Sequence, residues 1–257
     1  MKIKNLSFSS RTVADNPYKW AYELEDIGYS GWEIVQEGPQ SLNEENLVLL
    51  QDIYETTDLK LTIHLPFSDM NLACLNDSIH REIIRQLFQD LQMASEYVDL
   101  AVIHPGHYSP YGAQVPSLAW KRNIESLQII SDAGEELGIR IAVENMPDVM
   151  QIMGRRPQEM IEILDSVNRD NIYMTFDVGH ANTNGNIDEF ISMCSNRIRH
   201  VHIHDNMGKR DEHLPAGKGN IDWKNLVKKL PGHKCMFVTE MGDLEDGIES
   251  VSYLKNL

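Results

Sequence analysis

Cysteine is scarce in this 257-residue chain: Cys74, Cys194 and Cys235 are odd in number and show no C-x-x-C spacing. That argues against a disulfide framework and fits reduced thiols in a cytosol. Long apolar runs are missing as well. Met1 to Ser10 lacks the apolar core of a signal peptide, and no segment approaches membrane-spanning length, so a soluble cytoplasmic protein without a membrane partner is expected. Positive charge is short: 23 Lys and Arg stand against 39 Asp and Glu, a formal net charge of −16. This works against general attraction to nucleic acid, although clustered metal cations would reverse the field locally. Small polar substrates are the easier partners. No Gly-rich dinucleotide fingerprint follows the first expected strand, and no low-complexity linker marks a domain boundary. With 42% hydrophobic residues, one domain over residues 1–257 has material for a full core.

What is abundant is metal-ligand chemistry, concentrated between Ile198 and Trp223. In an extended strand His200, His202 and His204 project from one face, because side chains alternate with a period of two. An Asp-x-His follows at Asp211 and His213. The segment then returns through Gly217 and Gly219 to a helix start at Asp222. A short solvent loop has little reason to hold so many His and Asp, whereas a polynuclear divalent-metal site has one.

Elsewhere, short β-rich runs alternate with amphipathic helical stretches. Strands are expected at 3–8, 31–35, 60–64, 100–104, 139–144, 172–177, 198–204 and 235–240. Helix starts are marked by Asn16 before Pro17, by Asn43 before two glutamates, by Asp77, and by Ser117 after Pro116. Strand–helix alternation predicts parallel strands with crossover helices, and eight such units over this length predict a closed (β/α)8 TIM barrel.

The polar residues fall in phase on those strands. His64 ends the third, His104 the fourth, Glu144 the fifth and Asp177 the sixth; His202 lies near the end of the seventh and Glu240 ends the eighth. These are C-terminal ends, where barrel enzymes assemble active sites from several strands. Ile141 and Val143 can face the helices while Ala142 and Glu144 face inward, and Val238 shares the face of Glu240. His180 follows Asp177 across a tight turn. Any one of these residues is more often a capping or hydrogen-bonding group than a ligand. Six in phase, unpaired, would carry a considerable desolvation cost without a purpose. His80, in a helix, and His233, in a turn, read as solvated. His107 sits in a loop that can line the mouth, His200 reads as a barrel-layer residue, and His204 as a partner of the ligands. Met146, Met150 and Met153 read as core and loop filling.

The motifs H-L-P-F with N-L-A (64–73), V-I-H-P-G (102–106), V-E-N (143–145), F-D-V-G-H (176–180), H-I-H-D (202–205), D-E-H (211–213) and V-T-E (238–240) occur in that order. Over nearly its whole length the chain resembles the xylose-isomerase-like barrel superfamily. That superfamily holds sugar and sugar-phosphate isomerases and epimerases together with endonuclease IV, the zinc-dependent apurinic-site nuclease. For the isomerase side, the resemblance implies one divalent ion held by Glu144, Asp177, His202 and Glu240, with Glu144 and Glu240 moving a proton through an enediolate. It also implies that His180 orients the sugar. Lys209 and Arg210 can receive an anionic end of the substrate, but a solvated basic loop is the preferred reading for the pair.

The nuclease side implies up to three ions on His64, His104, Glu144, Asp177, His180, His202, Asp211, His213 and Glu240, with zinc or manganese favoured over calcium. The surrounding motifs depart from the nuclease pattern. Phe67 stands for a Tyr, Ser68 and Asp69 for an apolar pair, Val178 and Gly179 for a small hydroxyl residue and Cys, and His204 for an Asn. No basic, aromatic-interleaved patch is present to track phosphates. The reading is therefore a metal-dependent sugar or sugar-phosphate isomerase or epimerase. An endonuclease acting on abasic DNA is the alternative, and a non-catalytic metal- or ligand-binding barrel the third possibility.

Overall fold

The computed structural model describes residues 5–11, 16–148, 151–230 and 235–257. Eight parallel strands, β1 (Leu6–Ser10), β2 (Gly31–Val35), β3 (Lys60–His64), β4 (Val98–Ile103), β5 (Arg140–Glu144), β6 (Ile172–Asp177), β7 (Ile198–Ile203) and β8 (Met236–Met241), pair in sequence order and close into a barrel. Closure runs over five residue pairs, from Leu6 opposite Phe237 to Ser10 opposite Met241, and sets Ser9 beside Glu240. The (β/α)8 TIM barrel expected from the alternation is the observed fold.

Around the sheet lie α1 (Leu24–Ile27), α2 (Glu44–Thr56), α3 (Asp77–Ala94), α4 (Pro116–Leu137), α5 (Pro157–Val167), α6 (Val178–Thr183), α7 (Ile187–Cys194), α8 (Trp223–Lys229) and α9 (Leu244–Lys255). Among the described residues no helix is long and apolar enough to cross a membrane. Local chemistry sets the helix starts. Asn43 caps α2 by accepting from the Glu45 and Asn46 amides, and Asp222 caps α8 through the Asn225 amide. α3 begins at Asp77 as expected, capped by Asn76, whose side-chain carbonyl accepts from the amides of Ser78 and Ile79. One expected start shifts. α4 begins at Pro116, where the missing amide costs nothing, so Ser117 is not its cap. Asn16 precedes only a short 3-10 turn and makes no side-chain cap bond.

The strand phase has a clear consequence for packing. Leu6, Phe8, Trp32, Ile34, Ile63, Ile141, Val143, Phe176, Val201 and Phe237 belong to the buried layer between sheet and helices. Leu100, Val102 and Ala142 form a small separate cluster inside the barrel. The other inward positions are largely polar and still fully buried, among them Ser7, Ser9, Glu33, Thr62, Thr175, His200 and His202. The first strand starts later than expected, at Leu6, and residues 1–4 lie outside the described residues, as do His233 and Met150. β4 stops at Ile103 and β7 at Ile203, which leaves His104 and His204 just beyond the sheet.

Candidate metal centre

All nine candidate ligands come together at the C-terminal mouth, in three groups of facing donor atoms: His64, His104 and Glu144; Glu144, Asp177, His202 and Glu240; and His180, Asp211 and His213, joined there by His204. Glu144 links two of them. Its Oε2 lies 3.3 Å from His64 Nε2 and 3.1 Å from His104 Nε2, while its Oε1 lies 3.3 Å from His202 Nδ1. His202 Nδ1 is also 3.3 Å from Glu240 Oε1. Asp211 Oδ2 stands 3.4 Å from His180 Nε2 and 3.1 Å from His213 Nε2. Two donors bound to one zinc at typical bond lengths sit roughly 2.8–3.6 Å apart, so these spacings suit a shared cation.

The tautomers agree with that reading. A backbone carbonyl can only accept, so Nδ1 is the donor where His64 bonds Leu65 O (2.8 Å), His180 bonds Asn145 O (2.8 Å) and His213 bonds Glu240 O (3.2 Å). Each bond leaves Nε2 with its lone pair turned to the cluster, the usual arrangement behind metal-binding imidazoles. His202 is turned the other way. Its Nε2 lies 3.0 Å from Glu33 Oε1, which aims Nδ1 at the carboxylates.

Local folding places the rest. Asp177 caps α6 by accepting from the His180 amide at 2.6 Å, so the expected tight turn is the first turn of a helix. Asn145 clasps the Asp177 backbone from both sides, accepting from its amide at 2.8 Å and donating to its carbonyl at 2.9 Å. Asp205 and Leu214 exchange backbone hydrogen bonds of 2.7 and 2.8 Å, which folds Asp211 and His213 back over the end of β7. The Asp205 carboxylate holds that loop by accepting from Trp223 Nε1 at 2.8 Å and the Gly217 amide at 2.9 Å.

Electrostatics make the cluster demand positive charge. Burial penalises the Glu144 carboxylate, yet His202 and His104 hold it well below the usual carboxylate range. Asp211 is depressed in the same manner against its own desolvation, by His180 and His213. Burial alone would strip the proton from His180, but Asp177, Asp211 and Glu144 push it up to about 10. Glu240, Glu144 and Glu33 likewise overcome burial at His202 and raise it well above the ordinary value. Ionised carboxylates in a desolvated mouth require either protons on these imidazoles or bound cations.

The mouth opens into a cavity of about 180 Å³ that seven of these ligands, all but the fully buried Asp177 and His202, share with Arg11, Val35, Phe67, Met146 and Pro147. A larger groove of about 630 Å³, between Asn182 and Lys229, has no histidine in its lining, so size does not locate the chemistry. The expected substrate contacts do not line this cavity. Lys209, Arg210 and His107 are exposed and none lines this cavity; the cation that does is Arg11. The His107 backbone is pinned by Asn71, which accepts from its amide and donates to its carbonyl. His80, expected to be solvated, is half-buried and lies 2.7 Å from Ser126 Oγ. Met146 lines the cavity rather than only filling core.

Sequence reasoning missed Glu33. It is fully buried at mid-β2, 2.7 Å from His200 Nε2, and accepts from Thr62 Oγ1 at 2.9 Å. The signal was available: Trp32 and Ile34 point outward, so Glu33 must face the barrel interior.

Residues 21–257 match the family model described as the xylose isomerase-like TIM barrel, and the chain belongs to that family. An uncharacterized protein of Methanocaldococcus jannaschii is 32% identical over 262 residues, covering 98% of this chain and 89% of the relative. A crystal structure of a D-tagatose 3-epimerase-like protein superimposes with a TM-score of 0.92 at 31% identity, over 98% of this chain and 96% of that one. Fructoselysine 3-epimerase of Escherichia coli O157:H7 is 19% identical over 220 residues, covering 81% of this chain and 78% of the enzyme.

Proposed function

We propose that this chain is a divalent-metal-dependent isomerase or epimerase of a sugar or sugar phosphate. The observation that carries the reading is the placement of Glu144 and Glu240. They stand on β5 and β8, three strands apart, and each brings an oxygen to 3.3 Å from His202 Nδ1. The family membership and the epimerase names of two relatives support it. Glu144, Asp177, His202 and Glu240 would hold the ion, and their N and O donors suit zinc or manganese. When bound, a divalent ion there supplies Lewis-acid polarisation of a carbonyl and its neighbouring hydroxyl.

The chain's own groups do the remainder. One of the two glutamates takes the proton from the carbon beside the carbonyl, and the other returns it from the opposite side, which inverts that centre. His180 Nε2 orients a sugar hydroxyl, and Arg11 receives an anionic end of the substrate. Val35, Phe67, Met146 and Pro147 keep water from the reacting carbon.

The test is solvent deuterium exchange into a panel of ketoses incubated with the wild-type protein. Exchange at the carbon next to the carbonyl is expected, because proton transfer through an enediolate requires it. One observation favours a second reading, metal-dependent cleavage of abasic DNA: the full nine-residue set falls into three groups suited to three ions. No exchange with any sugar, combined with metal-dependent nicking of an abasic duplex, would replace the first reading with the second.

A further inference from the structure

The opposite end of the barrel, where the strands begin, holds a second cavity of about 320 Å³. Its rim sets three cations, Lys60, Arg140 and Arg199, against one carboxylate, Asp99. Asp99 Oδ2 accepts from Lys60 Nζ at 3.1 Å and from Arg140 Nη2 at 2.8 Å, and so offsets one charge of the three. Arg199 has no carboxylate partner among the described residues. Its guanidinium lies over the Tyr173 ring, 4.9 Å from the centroid, and its Nη1 donates to the carbonyls of Asn196 and Ile198 at 3.0 and 2.8 Å. In a chain of formal charge −16, a local surplus of positive charge in a concave site draws an anion.

The floor of the cavity is polar and buried. His200 lines it, fully buried, with Nε2 2.7 Å from Glu33 Oε2. A carboxylate only accepts, so the Nε2 proton is committed to Glu33 and Nδ1 keeps its lone pair. That Nδ1 is buried without a hydrogen-bond partner, a standing penalty that a donor from a ligand removes. The lining supplies no such donor. Thr62 Oγ1 donates to Glu33 at 2.9 Å, Ser30 Oγ to Leu6 O at 3.1 Å and Cys235 Sγ to Ile198 O at 3.6 Å.

We propose that this end of the barrel binds a small hydroxylated oxyanion, the phosphate ester or carboxylate of a short polyol. The anionic group lies among Arg199, Arg140 and Lys60, and a hydroxyl of the same molecule donates to His200 Nδ1. An anion without a hydroxyl leaves the inner acceptor unmet, and a neutral polyol leaves the cations unmet. No residue lining this cavity lines the metal-bearing one, and the inference does not rest on the sugar chemistry.

The experiment is calorimetric titration of the metal-loaded protein at low salt and about pH 8, where phosphate monoesters are dianions. The probes are glycerol 3-phosphate, glycerate, methyl phosphate and glycerol. Saturable binding of glycerol 3-phosphate or glycerate, tighter than about 1 mM, is expected, and the tighter of the two separates a phosphate source from a carboxylate one. Methyl phosphate carries the charge without the hydroxyls and should bind at least about tenfold more weakly; glycerol should not bind measurably. Arg199→Gln should weaken binding at least about tenfold. Lys60→Gln, at a half-exposed position where misfolding is not expected, should weaken it in the same direction. Arg11→Gln, at the other end of the barrel, should leave it unchanged. No saturation by either hydroxylated anion, equal affinity for methyl phosphate, binding undiminished in both rim variants, or binding lost in Arg11→Gln would overturn the proposal.

Discussion

On their outward face the eight strands present Phe8, Trp32, Ile34, Ile141, Val143, Phe176 and Phe237 to the helices, a layer without a buried charge of its own strands. On their inward face the same strands carry Glu33, Thr62, Glu144, Asp177, His200, His202 and Glu240, interrupted by apolar residues such as Val35, Leu100, Val102, Ala142 and Val238. The outer layer gains from every apolar group it removes from water. The inner one gives up hydration of ionised groups and recovers it only through partners. Division of labour follows from the strand period of two: one face stabilises the barrel, and the other is kept at a cost for chemistry.

That contrast can be broken most severely at the mouth. Glu240→Gln and Glu144→Gln should each lower turnover by roughly 10²–10⁴-fold, the usual worth of a positioned proton-transfer group, while the thermal midpoint changes little. Steady-state kinetics with and without added metal checks this. Rescue by excess metal would reduce either residue to a ligand only. On the outer face the opposite pattern is expected. Phe176→Ala removes a fully buried ring and should cost about 3–5 kcal/mol in urea denaturation, with the metal content per folded chain unchanged.

Glu33 sharpens the comparison, because it is an inner residue that does not reach the cavity. Glu33→Gln weakens the hold on His202 Nε2 and should lower metal affinity roughly 10–100-fold, measured by competition with a chromogenic chelator. Unchanged affinity would make Glu33 mere filling of the barrel. The smallest effect belongs to Asp90 on α3, whose pKa burial raises to about 6 despite the Gln36 amide that donates to it at 2.9 Å. Its protonated form favours the fold, so its contribution is complete below the ordinary value of 3.8 and is lost as pH rises through about 6. Asp90→Asn, which cannot ionise, should gain of order 1 kcal/mol on wild type between pH 4 and pH 7.5 once solvent screening is discounted. Equal pH profiles in chemical denaturation would show that Asp90 ionises freely in the folded protein.

The phase of polar and apolar residues made the barrel and the mouth legible. Ile141 and Val143 alternate with Glu144, and Glu144 then lands where a C-terminal strand end requires. Strand ends drew attention because barrel chemistry collects there, and Glu33 escaped for the same reason, being mid-strand. Lys209 and Arg210 share a loop with Asp211, yet proximity in sequence did not bring them to the cavity. Arg11 reaches it from the far side of the closure, just past β1. Gly179 and His204 each stood out as departures from a motif, but their mutual fit, in which a Cβ at 179 would coincide with the His204 imidazole, is a distance across two elements and has no signature along the chain.

Closure of the sheet ties assembly of the centre to the arrival of β8. β8 is the last of the eight barrel strands to emerge during synthesis, and it both seals β1 and delivers Glu240 at the Ser9 position of the register. Until it docks, two strand edges are bare and open to pairing with other chains, and one ligand group lacks its fourth member. A nascent chain stalled before residue 236 therefore lacks both the seal and the complete group.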